Sequence, residues 1–215
     1  MEPLFLIRLC LLGAVLAAFL MASRMRLASL ATLYAIQATL LSAAAALFAI
    51  AYGDAAAYVV AGLTFVLKAL LIPYWFVRIV RAHGSSERLM SFMRPTLLSF
   101  AAFAAILFSS FVAQTLALAS GASYAGLSAS IALILTGFLM LMTRRDMIGL
   151  GFGFLLVENG VFTLGLALTG GLPLFIELGV LFDLSIFFVL LIAFARRAQQ
   201  EHASLATDYL HELIG

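Results

Sequence analysis

Read for hydrophobic and polar positions, the chain is a series of long apolar runs separated by short polar breaks. The runs fill about 4–22, 27–52, 55–80, 96–120, 124–143, 147–169 and 174–195. The breaks read SRMR, GD, RAHGSSERLMSFMRP, GAS, TRRD and TGGLP. A helix crosses a bilayer in about 20 apolar residues, and each run meets that length. None shows the two-residue alternation of a barrel strand, and in lipid only a helix satisfies its backbone within one segment. The pattern predicts an all-α integral membrane protein of seven transmembrane helices. A single membrane domain covers 1–195, and a polar tail covers 196–215.

Composition sharpens this reading. Of 215 residues, 65% are apolar and 10% charged, and the mean hydropathy is +1.18. A soluble domain carries about a quarter charged residues, so this chain lacks the polar surface to coat a soluble globule. The charges that remain are asymmetric. Arg24, Arg26, Arg78, Arg81, Arg88, Arg94, Arg144, Arg145, Arg196 and Arg197 fall in or beside the first, third and fifth breaks and the tail, and make up ten of the twelve basic residues. The second, fourth and sixth breaks carry none. The positive-inside rule then places the odd breaks and the C-terminus in the cytoplasm and the N-terminus outside. The first run lacks a basic leader: its first charge is Glu2, and Arg8 lies within the apolar stretch. It is read as a retained span, with Arg8 snorkelling to the headgroups about one turn from the outer end.

One cysteine, Cys10, excludes an internal disulfide and every cysteine-based metal spacing. His83, His202 and His211 fall in a loop and the tail, without the clustering of metal ligands. No nucleophile–base motif is found. The chain is therefore expected to hold no cofactor of its own.

The candidate chemistry lies in charges within the runs. Counted at about 1.5 Å per residue, Glu158 is about 16 Å deep, Asp183 about 14 Å and Lys68 about 18 Å, all near the middle of a hydrocarbon core of about 30 Å. Glu177 sits about one turn inside the outer boundary. A central Asp, Lys or Arg costs about 2.5–3.5 kcal/mol even on the lenient insertion scale. Pairing, water or a partner subunit must offset that. Two readings stand: a static clamp between Lys68 and a carboxylate, or a proton path through groups at one depth. Burial disfavours the charged form and a nearby opposite charge favours it, so such groups can exchange protons.

The surrounding residues bear on both readings. Pro73, five residues after Lys68 in LKALLIP, removes a backbone bond to residue 69 and is expected to kink the helix there. Gly149 and Gly153 form a small-xxx-small pair suited to close helix packing. Asn159 and Gly160 follow Glu158 directly, and Gly160 leaves room for a neighbour or water. Gln37 and Gln114 are read as buried amides for interhelical hydrogen bonds. In the tail, Leu210, Leu213 and Ile214 could form one apolar stripe of a short docking helix.

The stretches FVLKALLIP, TRRDMIGLGFGFLLVENG, ELGVLFDLSIFFVLLIAFARR and LHELIG resemble those of the hydrogenase-4 component E family, over nearly the whole chain. That family supplies a membrane subunit to energy-converting hydrogenase and formate hydrogenlyase-like complexes. The last three runs, 124–195, are also similar to the K subunit of bacterial complex I, itself similar to a subunit of multi-subunit cation/proton antiporters. The K-subunit family carries two membrane glutamates in its proton path. The match puts Asp183 at the second. Alignment on Asn159 puts the first near Leu156, about half a turn from Glu158.

The resemblance implies a proton-translocating membrane subunit of a complex-I-like oxidoreductase in the bacterial inner membrane, with Glu158, Asp183, Lys68 and Glu177 transferring protons and Asn159, Gly160 and Pro73 supporting them. It implies antiporter-like membrane subunits and peripheral redox subunits on the cytoplasmic side as partners. Metal centres are expected only in those partners, and nucleic acid is not among them. The alternatives are a cation/proton antiporter subunit and a structural scaffold with clamped charges.

Overall fold

A computed structural model describes residues 3–53, 55–82, 89, 91–120 and 123–169. The elements are α1 (Pro3–Ser23), α2 (Leu27–Tyr52), α3 (Ala55–Thr64), a π-helical segment (Phe65–Leu71), α4 (Ile72–Ala82), α5 (Pro95–Ser120), α6 (Tyr124–Thr143) and α7 (Met147–Thr169). The segments α3, π and α4 run on as one span. Among the described residues, six helical spans are long and apolar enough to cross a membrane. The run 174–195 with Asp183 and Glu177, the tail with its apolar stripe, and all three histidines lie outside the described residues.

The breaks end the helices for local reasons. Gly53 follows α2 with φ 68° and donates its N–H to the Ala49 carbonyl at 2.9 Å, a left-handed cap that glycine adopts without strain. Pro3 and Pro95 open α1 and α5, where the missing N–H costs nothing. Ser123 caps α6, its Oγ accepting from Gly126 N at 3.5 Å. Asp146 caps α7 more tightly, with Oδ1 accepting from Gly149 N at 2.6 Å.

Helix α1 packs on α2, α5 and α6; α6 packs on α5 and α7; and α2 packs on the α3–π–α4 span and on α7. The α6–α7 crossing is the closest to the backbone. A Cβ at Gly137 would stand 2.7 Å from Val157 N, and one at Gly160 would stand 2.8 Å from Ile134 N. Small residues here admit the neighbouring backbone, as in other membrane helix pairs. Gly153 abuts Leu141 across the same interface. Gly149 does not extend that stripe: its neighbours are Asp146 and Arg144, because it sits in the capped first turn of its own helix.

The outward faces are apolar. Phe100 is 73% exposed, Met142 79% and Leu118 84%. A bundle whose interior is small and polar in places, and whose surface is Phe and Leu, has transmembrane character. Gln114 corrects an expectation. It is exposed among the described residues, because α5 buries the adjacent face through Leu98, Ala102, Ser109 and Ala113.

The first, third and fifth breaks meet at one end. Leu89 N donates to Met25 O at 2.7 Å, and Phe92 N donates to Thr143 O at 2.9 Å. The arginine-bearing breaks thus share one end of the bundle.

Candidate functional site: a buried lysine–glutamate–amide chain

Lys68 lies within the π-helical segment, in which the Ile72 N–H reaches back five residues to Leu67 O. Where the sequence predicted a kink, the structure has a wide π-helical turn just before the proline. Pro73 has no N–H to offer Ala69, so the α-helical ladder is already broken there. A π turn inside a helix is uncommon and is found frequently at functional sites.

From that turn Lys68 crosses to α7. Its Nζ donates to Glu158 Oε1 at 2.6 Å and to Asn159 Oδ1 at 3.1 Å. Lys68 and Glu158 are each 4% exposed, and Asn159 is fully buried. The depths counted along the chain therefore correspond to direct contact between residues 90 positions apart. The Phe162 ring lies 5.7 Å from Nζ, within the range of a cation–π contact. The Asn159 carbonyl accepts from Thr163 Oγ1 at 2.7 Å. Gly160 turns the opposite way, against α6, and brings α7 close to Ser130 and Ile134.

A second amide continues the chain. Asn159 Nδ2 donates to Gln37 Oε1 at 3.2 Å. Its polarity follows from Lys68. A protonated ammonium only donates, so the Asn159 atom facing it must be the oxygen. The amide nitrogen must then face Gln37, which answers with its own oxygen. Gln37 Nε2 is left pointing elsewhere, buried and without an acceptor among the described residues. A buried donor left unsatisfied costs about 1–3 kcal/mol. Among the described residues, the chain thus begins at a titratable pair and ends on a donor without an acceptor.

Toward the arginine-bearing end, three aromatic rings pack together. Phe152 stacks on Phe76 at 4.7 Å between centroids and meets Tyr34 edge-on at 5.4 Å. Phe152 is six residues before Glu158 on α7, or about 9 Å along the axis. The sequence holds no signal for this cluster beyond three aromatics among many.

Arg144 is a further buried cation, 3% exposed. Its Nη2 donates to the carbonyls of Met21, Ala22 and Arg24 at 3.3, 3.1 and 2.6 Å, and its Nη1 to Met25 Sδ at 3.0 Å. It caps the C-terminus of α1, where carbonyls lack intrahelical donors. Burial pulls its guanidinium below the ordinary value, while the Asp146 charge opposes this. Its neighbour Arg145 lies over the Phe92 ring at 3.6 Å. Among the described residues no group of three or more His, Cys, Asp or Glu side chains could hold a metal.

No family model and no solved structure matches the chain. An uncharacterised protein of Mycobacterium tuberculosis is 28% identical over 203 residues, 94% of this chain and 92% of its own length. Hydrogenase-4 component E of Escherichia coli is 26% identical over 153 residues, 70% of each chain. The component E of Shigella flexneri matches over the same share at the same identity. The similarity to hydrogenase-4 component E is weak, and it accords with an accessory membrane subunit of an oxidoreductase.

Proposed function

We propose that this chain is a proton-translocating subunit of a complex-I-like energy-converting oxidoreductase of the hydrogenase-4 or formate hydrogenlyase type. In this reading it spans the bacterial inner membrane seven times, with the N-terminus outside and the tail cytoplasmic. The observation that carries the reading is the Lys68–Glu158 contact at 2.6 Å in a buried interior. Two titratable groups in contact can hold one proton in two ways, as an ion pair or as a neutral pair. Desolvation narrows the difference between these, and a counter-ion nearby or withdrawn decides between them. Glu158 and Asn159 are both acceptors of Lys68. A shift of its ammonium from one to the other would uncover the carboxylate, and its return would release the proton.

The π turn beside Pro73 gives the lysine a backbone able to move. From the pair, the proton would pass on to the remaining carboxylates of the sequence reading, Asp183 and Glu177, or into neighbouring antiporter-like subunits. Redox chemistry and its metals belong, in this reading, to peripheral partners on the cytoplasmic side. The similarity to hydrogenase-4 component E supports that placement.

A tagged chain purified from its native membranes tests the reading. Hydrogenase-like or formate dehydrogenase-like subunits should come with it, and cation/proton antiporter subunits alone would contradict it. In vesicles, Glu158→Gln and Asp183→Asn should assemble and lose redox-linked proton movement. The 2.6 Å contact equally suits a static clamp, and normal pumping in both assembled variants would establish that second reading.

A further inference from the structure

At the end of the bundle away from the arginine-bearing breaks, α1, α5 and α6 part to leave a cleft of about 620 Å³. Its lining is graded. At the rim stand Arg8, Ser123 and Tyr124; further in, the walls are Leu11, Val15 and Ala132. Ser110 and Ser128 also face the cleft, but their hydroxyls bond each other at 3.3 Å and so ask for no ligand.

Arg8 is different. It is exposed, and among the described residues it has no ion pair or hydrogen bond. A guanidinium just inside a transmembrane span needs an anion or water. The start of α6 at the same rim adds the positive end of its dipole. Below the rim, Arg8 and Val15 lie seven residues apart on one face of α1, giving about 10 Å of apolar groove.

We propose that this cleft binds one phospholipid, its phosphodiester on Arg8 and one acyl chain laid along α1 and α6. A guanidinium matches a phosphate in two-pronged geometry, and only an attached chain fills the groove beneath. Free inorganic phosphate would leave the groove empty. A diacylglycerol would leave Arg8 unpaired. The proposal rests on the transmembrane character alone and is independent of proton transfer.

The test uses the full chain in mild detergent, with binding read by native mass spectrometry. Phosphatidylglycerol, diacylglycerol and inorganic phosphate are the three probes. One phosphatidylglycerol should bind about tenfold more tightly than diacylglycerol, the worth of one charge-assisted hydrogen-bonded contact. Arg8→Gln should remove that preference and Arg8→Lys should keep part of it. Phosphate should fail to compete. Equal binding of the two lipids, an unchanged preference in Arg8→Gln, or full competition by phosphate would each overturn the proposal.

A second measurement needs no variant. A phosphatidylglycerol bearing a photoreactive group in its acyl chain should label the stretches around Val15 and Ala132. Labelling spread over the outer faces at Phe100 and Phe111 instead would also overturn it.

Discussion

Among the described residues, the interior holds two buried cations that differ in what they touch. Lys68 reaches a carboxylate and an amide oxygen. Arg144 reaches three backbone carbonyls and a thioether. Carbonyls cannot be protonated at physiological pH, and a guanidinium does not give up its proton. Arg144 is therefore a permanent fastening of α1 to the fifth break. A lysine on a carboxylate is a pair with two protonation arrangements. Both cations are buried; what sets Lys68 apart from Arg144 is a side-chain partner that can itself be protonated.

Substitution separates the two regions. Lys68→Met alone should destabilise by about 3–5 kcal/mol, because the buried Glu158 carboxylate loses the ammonium that contacts it at 2.6 Å. Adding Glu158→Leu should recover most of that, as an apolar pair often replaces a buried ion pair at little cost. Thermal melting of the purified chain in detergent, as a double-mutant cycle, checks this. Additive losses would mean that the contact is not energetically coupled.

Arg144→Ala should cost about 3 kcal/mol, since several bonds from one charged donor are lost and carbonyls are stranded. No second single substitution should rescue it, because the partners are backbone. Arg144→Lys, with a single point donor, should recover only part of the melting temperature. A full recovery would make the contact one of charge alone.

Gly137→Ala should cost about 1–3 kcal/mol by forcing α6 away from α7, and it should loosen the Lys68 site through α7. Gln37→Leu should be the mildest. It exchanges the orphaned Gln37 donor for an orphaned Asn159 donor, so the net loss should be about 1 kcal/mol. A loss as large as that of Lys68→Met would show that the amide chain bears far more than its geometry suggests.

Much of this was legible in the sequence, for reasons that differ by residue. Periodless apolar runs and their punctuation fix six described spans, because Gly53, Pro95, Ser123 and Asp146 act through their own local backbone. The depth of Lys68 and Glu158 followed from counting residues. Their contact did not, since depth carries no information about which faces of two helices meet. Arg144 was counted only as one of ten basic residues in or beside the breaks, and only tertiary packing reveals that α1 ends on it. Gln37 showed itself as a polar residue in an apolar run, but its partner depends on the α2–α7 approach. Gln114 looked the same in sequence and faces outward.

The central claim is that Glu158 takes up and releases a proton as Lys68 moves. Infrared difference spectroscopy on the assembled complex, oxidised against reduced, reads this directly through the stretching band of a protonated carboxyl group. The wild type should show such a band changing with redox state. Glu158→Gln should abolish it, and Lys68→Met should uncouple it from redox state. A wild-type spectrum without the band, or a band that persists unchanged in Glu158→Gln, would contradict the account.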